Sequence, residues 1–408
     1  MKLTIYSKAL SVITLFLLSN EVWTQPITSP ITNRPLKTAM PILTVVPDAR
    51  ASGMGDVGAA TGPSINDQAW NCAKYVFNEY EMGISLSYVP WMRNVGTTNI
   101  NLLYLTGFYQ LDDRQAIGAS IRYFSLGNIR FMDNVGNPVR TANPNEFSID
   151  ASYSLRLGEF FSLGAAFRYL RSDLTGGHYT SHETAVTLSP ANGAAADIGF
   201  FYYEPIRKGG AISNVSAGLS ITNIGTKMSY AYDKTIDKGY FLPTTLRLAG
   251  GLELSIDYNN TIAFSLEFSK YLVPTPPVYA MDDQGNIITD DNGKPIIIAG
   301  RDDGVSVPMG MIQSFYDAPD GFSGELRKIM TGVGAEYNYA NIFKIRTGFY
   351  YDPKNAQHRY VTIGAGLIYS LFSFDISYLI PIASGLQSPL ANTIHATIGV
   401  NIGQPNRY

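Results

Sequence analysis

Residues Asn145–Arg156 read NEFSIDASYSLR. From Glu146 onward the side chains alternate without a miss: Phe147, Ile149, Ala151, Tyr153 and Leu155 fall on one face, Glu146, Ser148, Asp150, Ser152, Ser154 and Arg156 on the other. Successive strand side chains point to opposite faces, so this segment is a strand with one apolar wall and one polar wall. Similar segments recur at Phe161–Ser172, Asn214–Thr222 and Phe374–Tyr378, with aromatic residues repeatedly on the apolar wall. The repetition predicts a closed sheet with lipid outside and a polar lumen.

Composition points the same way. Only 15% of the 408 residues are charged, against about 25% in ordinary soluble proteins. Tyrosine is abundant, with 27 residues beside 20 phenylalanines, which suits the aromatic girdles of a membrane barrel. The net charge is −3, and no Lys/Arg stripe is present to pair with phosphates, so no nucleic acid partner is expected. Cys72 is the single cysteine, which excludes an intrachain disulfide and reads as a small packed residue rather than a nucleophile.

Lys2 and Lys8 precede the apolar run Ala9–Leu18, too short to span a bilayer, so residues 1–24 read as a signal peptide with Gln25 as the mature start. Fourteen strands can then be laid out at 81–89, 99–110, 116–127, 145–157, 160–172, 194–204, 211–224, 241–254, 260–272, 328–339, 342–351, 359–370, 372–380 and 393–402. Alternate connections are short and the rest are mostly long, as in outer-membrane barrels with short periplasmic turns and longer extracellular loops. The expected fold is all-β: a transmembrane antiparallel barrel over 81–402, preceded by an N-terminal extension and lumen plug over 25–80 and followed by a tail at 403–408. The longest extracellular loop is 273–327.

Within the plug, Asn66–Phe77 suggests a short helix, and Gly53-x-Gly55-x-x-Gly58 has the letters of a dinucleotide fingerprint. Pro47, Asp48 and Arg50 break the required strand-to-turn passage and no βαβ unit follows, so close backbone packing is the better reading of these glycines. His178 and His182 have helical metal spacing but sit in a Gly-rich loop; His358 and His395 are isolated. The acidic stretch Met281–Pro295 does not fit a calcium loop. Instead Asn292-Gly293, between Ile287–Ile288 and Ile296–Ile298, predicts a hairpin with a type I′ turn projecting from the longest loop. Asp150, Arg156, Arg168, Glu267 and Glu336 face the lumen by parity and are expected to pair there or to line water. No clustered Ser, His and Asp set exists for hydrolysis, so neither an enzyme nor a metal or other cofactor is expected.

Several segments carry a family resemblance. Met40–Gly58 (MPILTVVPDARASGMGDVG), Trp70–Tyr75 (WNCAKY), Lys270–Pro277 (KYLVPTPP), Ser314–Pro319 (SFYDAP), Gly334–Tyr337, Arg346–Tyr350 and Ser377–Pro381 resemble the PorV family, the outer-membrane shuttle of type IX secretion. The barrel and glycine-rich start alone are similar to the broader long-chain fatty-acid channels. Cys72 departs from the proline usual in the Asn-Pro-Ala motif of that wider group.

The resemblance implies a barrel without catalytic chemistry in the outer membrane of a Bacteroidota-like Gram-negative bacterium. It would bind the C-terminal signal domains of secreted cargo, receive them from the type IX translocon and deliver them to an attachment complex containing a PorU-type sortase. Candidate partner-binding residues are Val273, Pro274, Pro276, Pro277, Tyr279, Ser314, Phe315, Asp317 and Pro319, with Val278, Met309 and Met311 as further exposed groups. Candidate plug residues are Gly53, Gly55, Gly58, Trp70 and Asn71. The alternative is a channel for long-chain fatty acids or other hydrophobic small molecules, which requires a continuous apolar lumen where parity predicts a polar one.

Overall fold

Alternation on this scale demands closure, because an open sheet edge in hydrocarbon leaves backbone groups unpaired. In a computed structural model of the protein the sheet is closed. The structure describes residues 36–92, 100–132, 136, 138–177, 179–180, 187–208, 211–233, 239–282, 284–355, 358–382 and 390–403. The proposed signal peptide at 1–24, His178, His182 and most of the tail therefore lie outside the described residues.

The wall comprises fourteen antiparallel strands: β1 (Met82–Pro90), β2 (Ile100–Asp112), β3 (Gln115–Leu126), β4 (Asn145–Arg156), β5 (Phe161–Asp173), β6 (Ala191–Lys208), β7 (Ala211–Gly225), β8 (Thr245–Ser255), β9 (Asn260–Tyr271), β10 (Met330–Tyr339), β11 (Phe343–Tyr351), β12 (Arg359–Tyr369), β13 (Phe372–Pro381) and β14 (Ile394–Ile402). Each pairs with its sequence neighbour, and β1 pairs with β14 from Met82↔Ile402 to Tyr88↔Ala396. The expected strands are all present. Strand β8 starts at Thr245 rather than 241, because Pro243 cannot donate to a ladder and Thr244 N–H turns back onto the Leu242 carbonyl (2.7 Å). Among the described residues no helix is long and apolar enough to cross a membrane; strands make the crossing.

Parity holds. On β4, Ile149 and Tyr153 are exposed to the outside while Ser148, Asp150, Ser152 and Ser154 are buried within. One end of the barrel has tight turns. At Ala340-Asn341 both residues are left-handed (φ 54° and 56°) and Ile342 N–H reaches the Tyr339 carbonyl (2.9 Å), a type I′ geometry that follows strand twist. The other end carries the long loops, of which 272–329 is the longest. It contains helices α2 (Val307–Gln313) and α3 (Gly321–Leu326).

Residues 36–80 lie inside. They enter at the long-loop end, where Ala39 N–H bonds the Phe241 carbonyl (2.9 Å) and Ile42 N–H bonds Glu146 Oε2 (3.2 Å). There Met40 and Ile42 pack with Leu102, Phe124, Leu170 and Met228. The segment leaves at the short-turn end, where Phe77 packs on Phe201 and Tyr203. The single helix expected over 66–77 is instead two 3-10 turns, Ile65–Ala69 and Cys72–Phe77. Asn71 separates them: its side chain caps the second turn by accepting Ala73 N–H (3.2 Å).

Candidate functional site

The lumen is organised by charge. Asp150 and Arg168 are direct cross-strand partners on β4 and β5. Arg168 Nε donates to Asp150 (2.7 Å), its Nη2 to Asp197 on β6 (3.0 Å), and Nη1 also to Asn223. Opposite, Glu336 and Arg346 pair between β10 and β11 (2.5 Å), and Arg346 reaches across glycine-bearing β12 to Asp375 on β13 (2.6 Å). A Cβ at Gly366 would lie 2.5 Å from that aspartate and 3.0 Å from that arginine, so glycine keeps the path open. The pairing expected of Asp150, Arg168, Glu267 and Glu336 is therefore present; Arg156 instead lies at the short-turn rim, its guanidinium over the Phe77 ring (4.9 Å).

The inner segment is grafted onto this framework. Arg50 from helix α1 (Ala49–Gly53) joins Glu336 (3.3 Å), and Glu267, paired with Arg247 (3.2 Å), accepts the N–H groups of Gly58 and Ala59 (both 2.9 Å). Within the segment, buried Lys74 bonds Asp67 (2.6 Å) and the Gly58 carbonyl (2.9 Å). Trp70 Nε1 donates to Asp48 (2.8 Å), whose other oxygen caps α1 at Ala51 (2.9 Å); Asn71 Nδ2 donates to the Phe200 carbonyl of the wall (2.9 Å).

The glycines serve close approach. Gly53 ends α1; Gly55 is left-handed (φ 72°), and a Cβ on it would meet Phe349 backbone at 2.6 Å; one on Gly58 would enter the Trp70 ring. Cys72 is buried and its carbonyl accepts Ser154 Oγ (2.6 Å). A cavity beside Arg50, Thr61, Tyr203 and Glu253 encloses about 20 Å³, room for roughly one water. Among the described residues no set of three or more metal-ligating side chains converges.

The second assembly is the outer loop. Its two motifs, Lys270–Pro277 and Ser314–Pro319, are joined through Asp317, which accepts Thr275 N–H (2.8 Å), Thr275 Oγ1 (2.9 Å) and Lys328 Nζ. Lys328 also bonds Glu325 (2.9 Å) and the Ser314 carbonyl (3.1 Å), while Lys270 bonds the other Glu325 oxygen (2.9 Å). Ala318 N–H donates to Glu325 as well (2.7 Å). Burial alone raises Glu325, but the bonds from Lys328, Lys270 and Ala318 outweigh it and hold the carboxyl below its ordinary value.

This knot sorts the candidate residues. Val273, Pro274, Pro277, Ser314 and Asp317 are buried and hold the loop together; Pro276, Tyr279 and Pro319 are half-buried; Phe315 is 50% exposed, with the Lys270 ammonium 4.6 Å from its ring centre. Val278, expected at the surface, is buried because it pairs across to Ala299, and Met311 is half-buried. Met309 is exposed as expected, joined by Ile312, Phe322 and Leu326. Thr275, Glu325 and Lys328 were not singled out from sequence. Only the Glu325–Lys328 spacing of three was visible there, since nothing local marks a bond between positions 42 apart.

The hairpin at Asn292-Gly293 forms with a different turn. Gly293 alone is left-handed (φ 76°), and Gly293 N–H bonds the Asp290 carbonyl (2.9 Å), so the geometry is a type I turn followed by a left-handed glycine. Asp290 explains the change: its side chain accepts Asn292 and Lys294 N–H (both 2.9 Å), stabilising the αR start of the turn.

The family profile described as Type IX secretion system protein PorV matches residues 29–278. The chain belongs to the PorV family. The matched range covers the inner segment, β1–β9 and the Lys270–Pro277 motif; Ser314–Pro319 lies beyond it. No curated protein matches the chain. Solved structures similar to it include the Ralstonia pickettii toluene transporter TbuX (11% identity, TM-score 0.44, 86% of this chain and 97% of that one). The P. putida toluene transporter TodX gives 12%, 0.45, 87% and 98%, and a Pseudomonas aeruginosa FadL homologue 10%, 0.42, 87% and 98%. Likeness at this level says nothing of what this PorV-family protein binds. The barrel and the family together place it in a Gram-negative outer membrane, among transport proteins.

Proposed function

We propose that this protein holds secreted cargo at its long-loop end by the cargo's C-terminal signal domain, and shuttles it from the type IX translocon to a cell-surface complex containing a PorU-type sortase. Residues 1–24 would direct its export, and it would do no chemistry of its own. The observation that carries this reading is the division of the outer loop. Its motif residues Ser314 and Asp317 are consumed in holding it together, leaving Met309, Ile312, Phe315 and Phe322 presented to solvent. Exposed apolar groups on an ordered loop are what a partner-binding surface requires.

The lumen favours this reading over a hydrophobic small-molecule channel. Its mid-section is crossed by buried ion pairs and by a segment bonded to the wall on many strands, where an apolar ligand would find no apolar path. The test is an affinity pull-down of the native detergent-solubilised protein from its own cells, followed by mass spectrometry. Secreted proteins sharing a C-terminal β-domain, with a sortase-like protease, are expected. Recovery of fatty acids alone would overturn the proposal in favour of the channel.

A further inference from the structure

Polar atoms buried in a lumen must find partners, and two that lack one line the same small cavity. Among the described residues, Gln68 Nε2 and Ser220 Oγ have no hydrogen-bond partner, although Gln68 is only 2% and Ser220 only 1% exposed. The cavity, of about 10 Å³, lies between the inner segment and the wall. Gln68, Trp70 and Cys72 line it from the segment, and Asp197, Ser220 and Thr222 from β6 and β7. The larger cavity beside Arg50 is different: among its lining residues no buried side-chain atom is left unpaired.

The wall is irregular at this point. Between the pairs Ala196↔Ile224 and Ile198↔Ile221, Asp197 alone stands opposite both Thr222 and Asn223, a bulge in which Asn223 is left-handed (φ 63°) and gives its N–H to Asp197 Oδ1 (2.6 Å). Ser220 pairs with Gly199, where a Cβ would lie 2.1 Å from Asn71 Oδ1, so glycine lets the inner segment approach the wall beside Ser220. The needs of the lining are complementary. Gln68 Oε1 already accepts Ser152 Oγ (2.5 Å), so its amide has a donor left over. Asp197 accepts from Arg168 and Asn223 and keeps lone pairs to spare, while the Ser220 hydroxyl can give or accept. A molecule that both accepts and donates serves all three, and the cavity has the volume of about one water.

We propose that this cavity is a built water site: one water accepts from Gln68 Nε2, donates to Asp197 and Ser220, and so joins the inner segment to the Asp150, Arg168 and Asp197 network at the bulge. About three bonds are usual for a buried water. Each atom left unpaired at this depth would carry its full desolvation penalty; the water removes it at both ends. Asn71 ties the segment directly to Phe200 on β6 (2.9 Å), and the water extends the tie to β7. The inference is independent of the cargo reading.

The test is a crystal structure of the full-length detergent-solubilised protein at a resolution that shows ordered water. One peak is expected within about 2.7–3.2 Å of Gln68 Nε2, Ser220 Oγ and an Asp197 oxygen. Featureless density, or a peak drawn in to the roughly 2.3–2.6 Å of a hard cation, would overturn the proposal. A second measurement needs no crystal. Gln68 and Ser220 do not bond each other, so a shared water is what would couple them. Gln68→Met and Ser220→Ala are each expected to lower the denaturant midpoint of heat-modifiable migration, and the double variant to lower it by clearly less than the sum, since the water is lost with either partner. The Ser152 bond given up by Gln68→Met adds to that single loss and not to the coupling. Losses that simply add, or no loss in either single variant, would overturn the site.

Discussion

The inner segment 36–80 and the outer loop 272–329 are both irregular chain, and both are built around buried ion pairs, yet their bonds go to different places. The inner segment has bonds of its own, such as Lys74 to Asp67, but it is also tied to the wall on several strands, from Arg50 to Glu336, Gly58 to Glu267 and Asn71 to Phe200. Those of the loop stay within it or return to its two roots, as Asp317 does with Thr275 and Lys328. Irregular backbone at membrane depth survives only where protein satisfies its polar groups, so the inner segment is fixed by the whole barrel. The loop stands on its own knot, which leaves its outer surface free for a partner.

The sharpest way to break this comparison is to cut the wall's ladder. Arg168→Met leaves Asp150 and Asp197 buried without their cation, a loss of about 3–5 kcal/mol, and the barrel is expected to lose heat-modifiable migration at much lower denaturant while an isolated loop change does not. Next comes the wall itself. Ile149→Arg on the lipid face is expected to cost about 2–4 kcal/mol near the midplane, read as reduced assembly in refolding assays. A change at that site that proved harmless would contradict the parity of β4.

That parity was legible because alternation is a local property: Glu146 to Arg156 carries it in eleven consecutive letters. The pairing of Asp150 with Arg168 was half legible, since both face inward but their register depends on the turn between β4 and β5. The inner segment's path was not legible. Its 3-10 turns depend on Asn71 meeting Phe200, a contact across 129 positions, and the glycines of its false nucleotide motif are explained by the Trp70 ring and by the backbone of β10, β11 and β12, all distant in sequence or on the wall. The loop motifs drew attention as partner contacts, yet Ser314 and Asp317 are buried, because a motif's letters do not distinguish a residue that builds a surface from one that forms it.

The loop's independence can be sharpened with pH. Glu325 has a folded pKa below its ordinary value, so its contribution is fully present above the ordinary carboxylate range and is lost as pH falls through the lowered value. Loop order is expected to fail there first. Proteolysis between residues 272 and 329 should accelerate at acid pH while the barrel stays folded, and Glu325→Gln should show the same accelerated cleavage already at neutral pH. Barrel and loop losing protection together would mean that the two regions are not separate units.

The smallest expected effect lies at the hairpin tip and asks how local the loop's own strain is. A Cβ at Gly293 would meet nothing within 4 Å, so Gly293→Ala feels only the left-handed backbone at φ 76°, a penalty of about 1 kcal/mol. Asn292 is not left-handed, so Asn292→Ala should cost still less, whereas a type I′ turn would penalise both positions. Hydrogen exchange at Ile288 and Ile296, whose N–H groups bond the Ala280 and Ile288 carbonyls (2.9 and 3.0 Å), is expected to rise severalfold in Gly293→Ala and to stay near wild type in Asn292→Ala. Exchange in β9 and β10 should not respond to either, because among the described residues the bonds of the hairpin tip stay within the loop; a response there would show that the hairpin is coupled through the Asp317 knot to the strands that carry it.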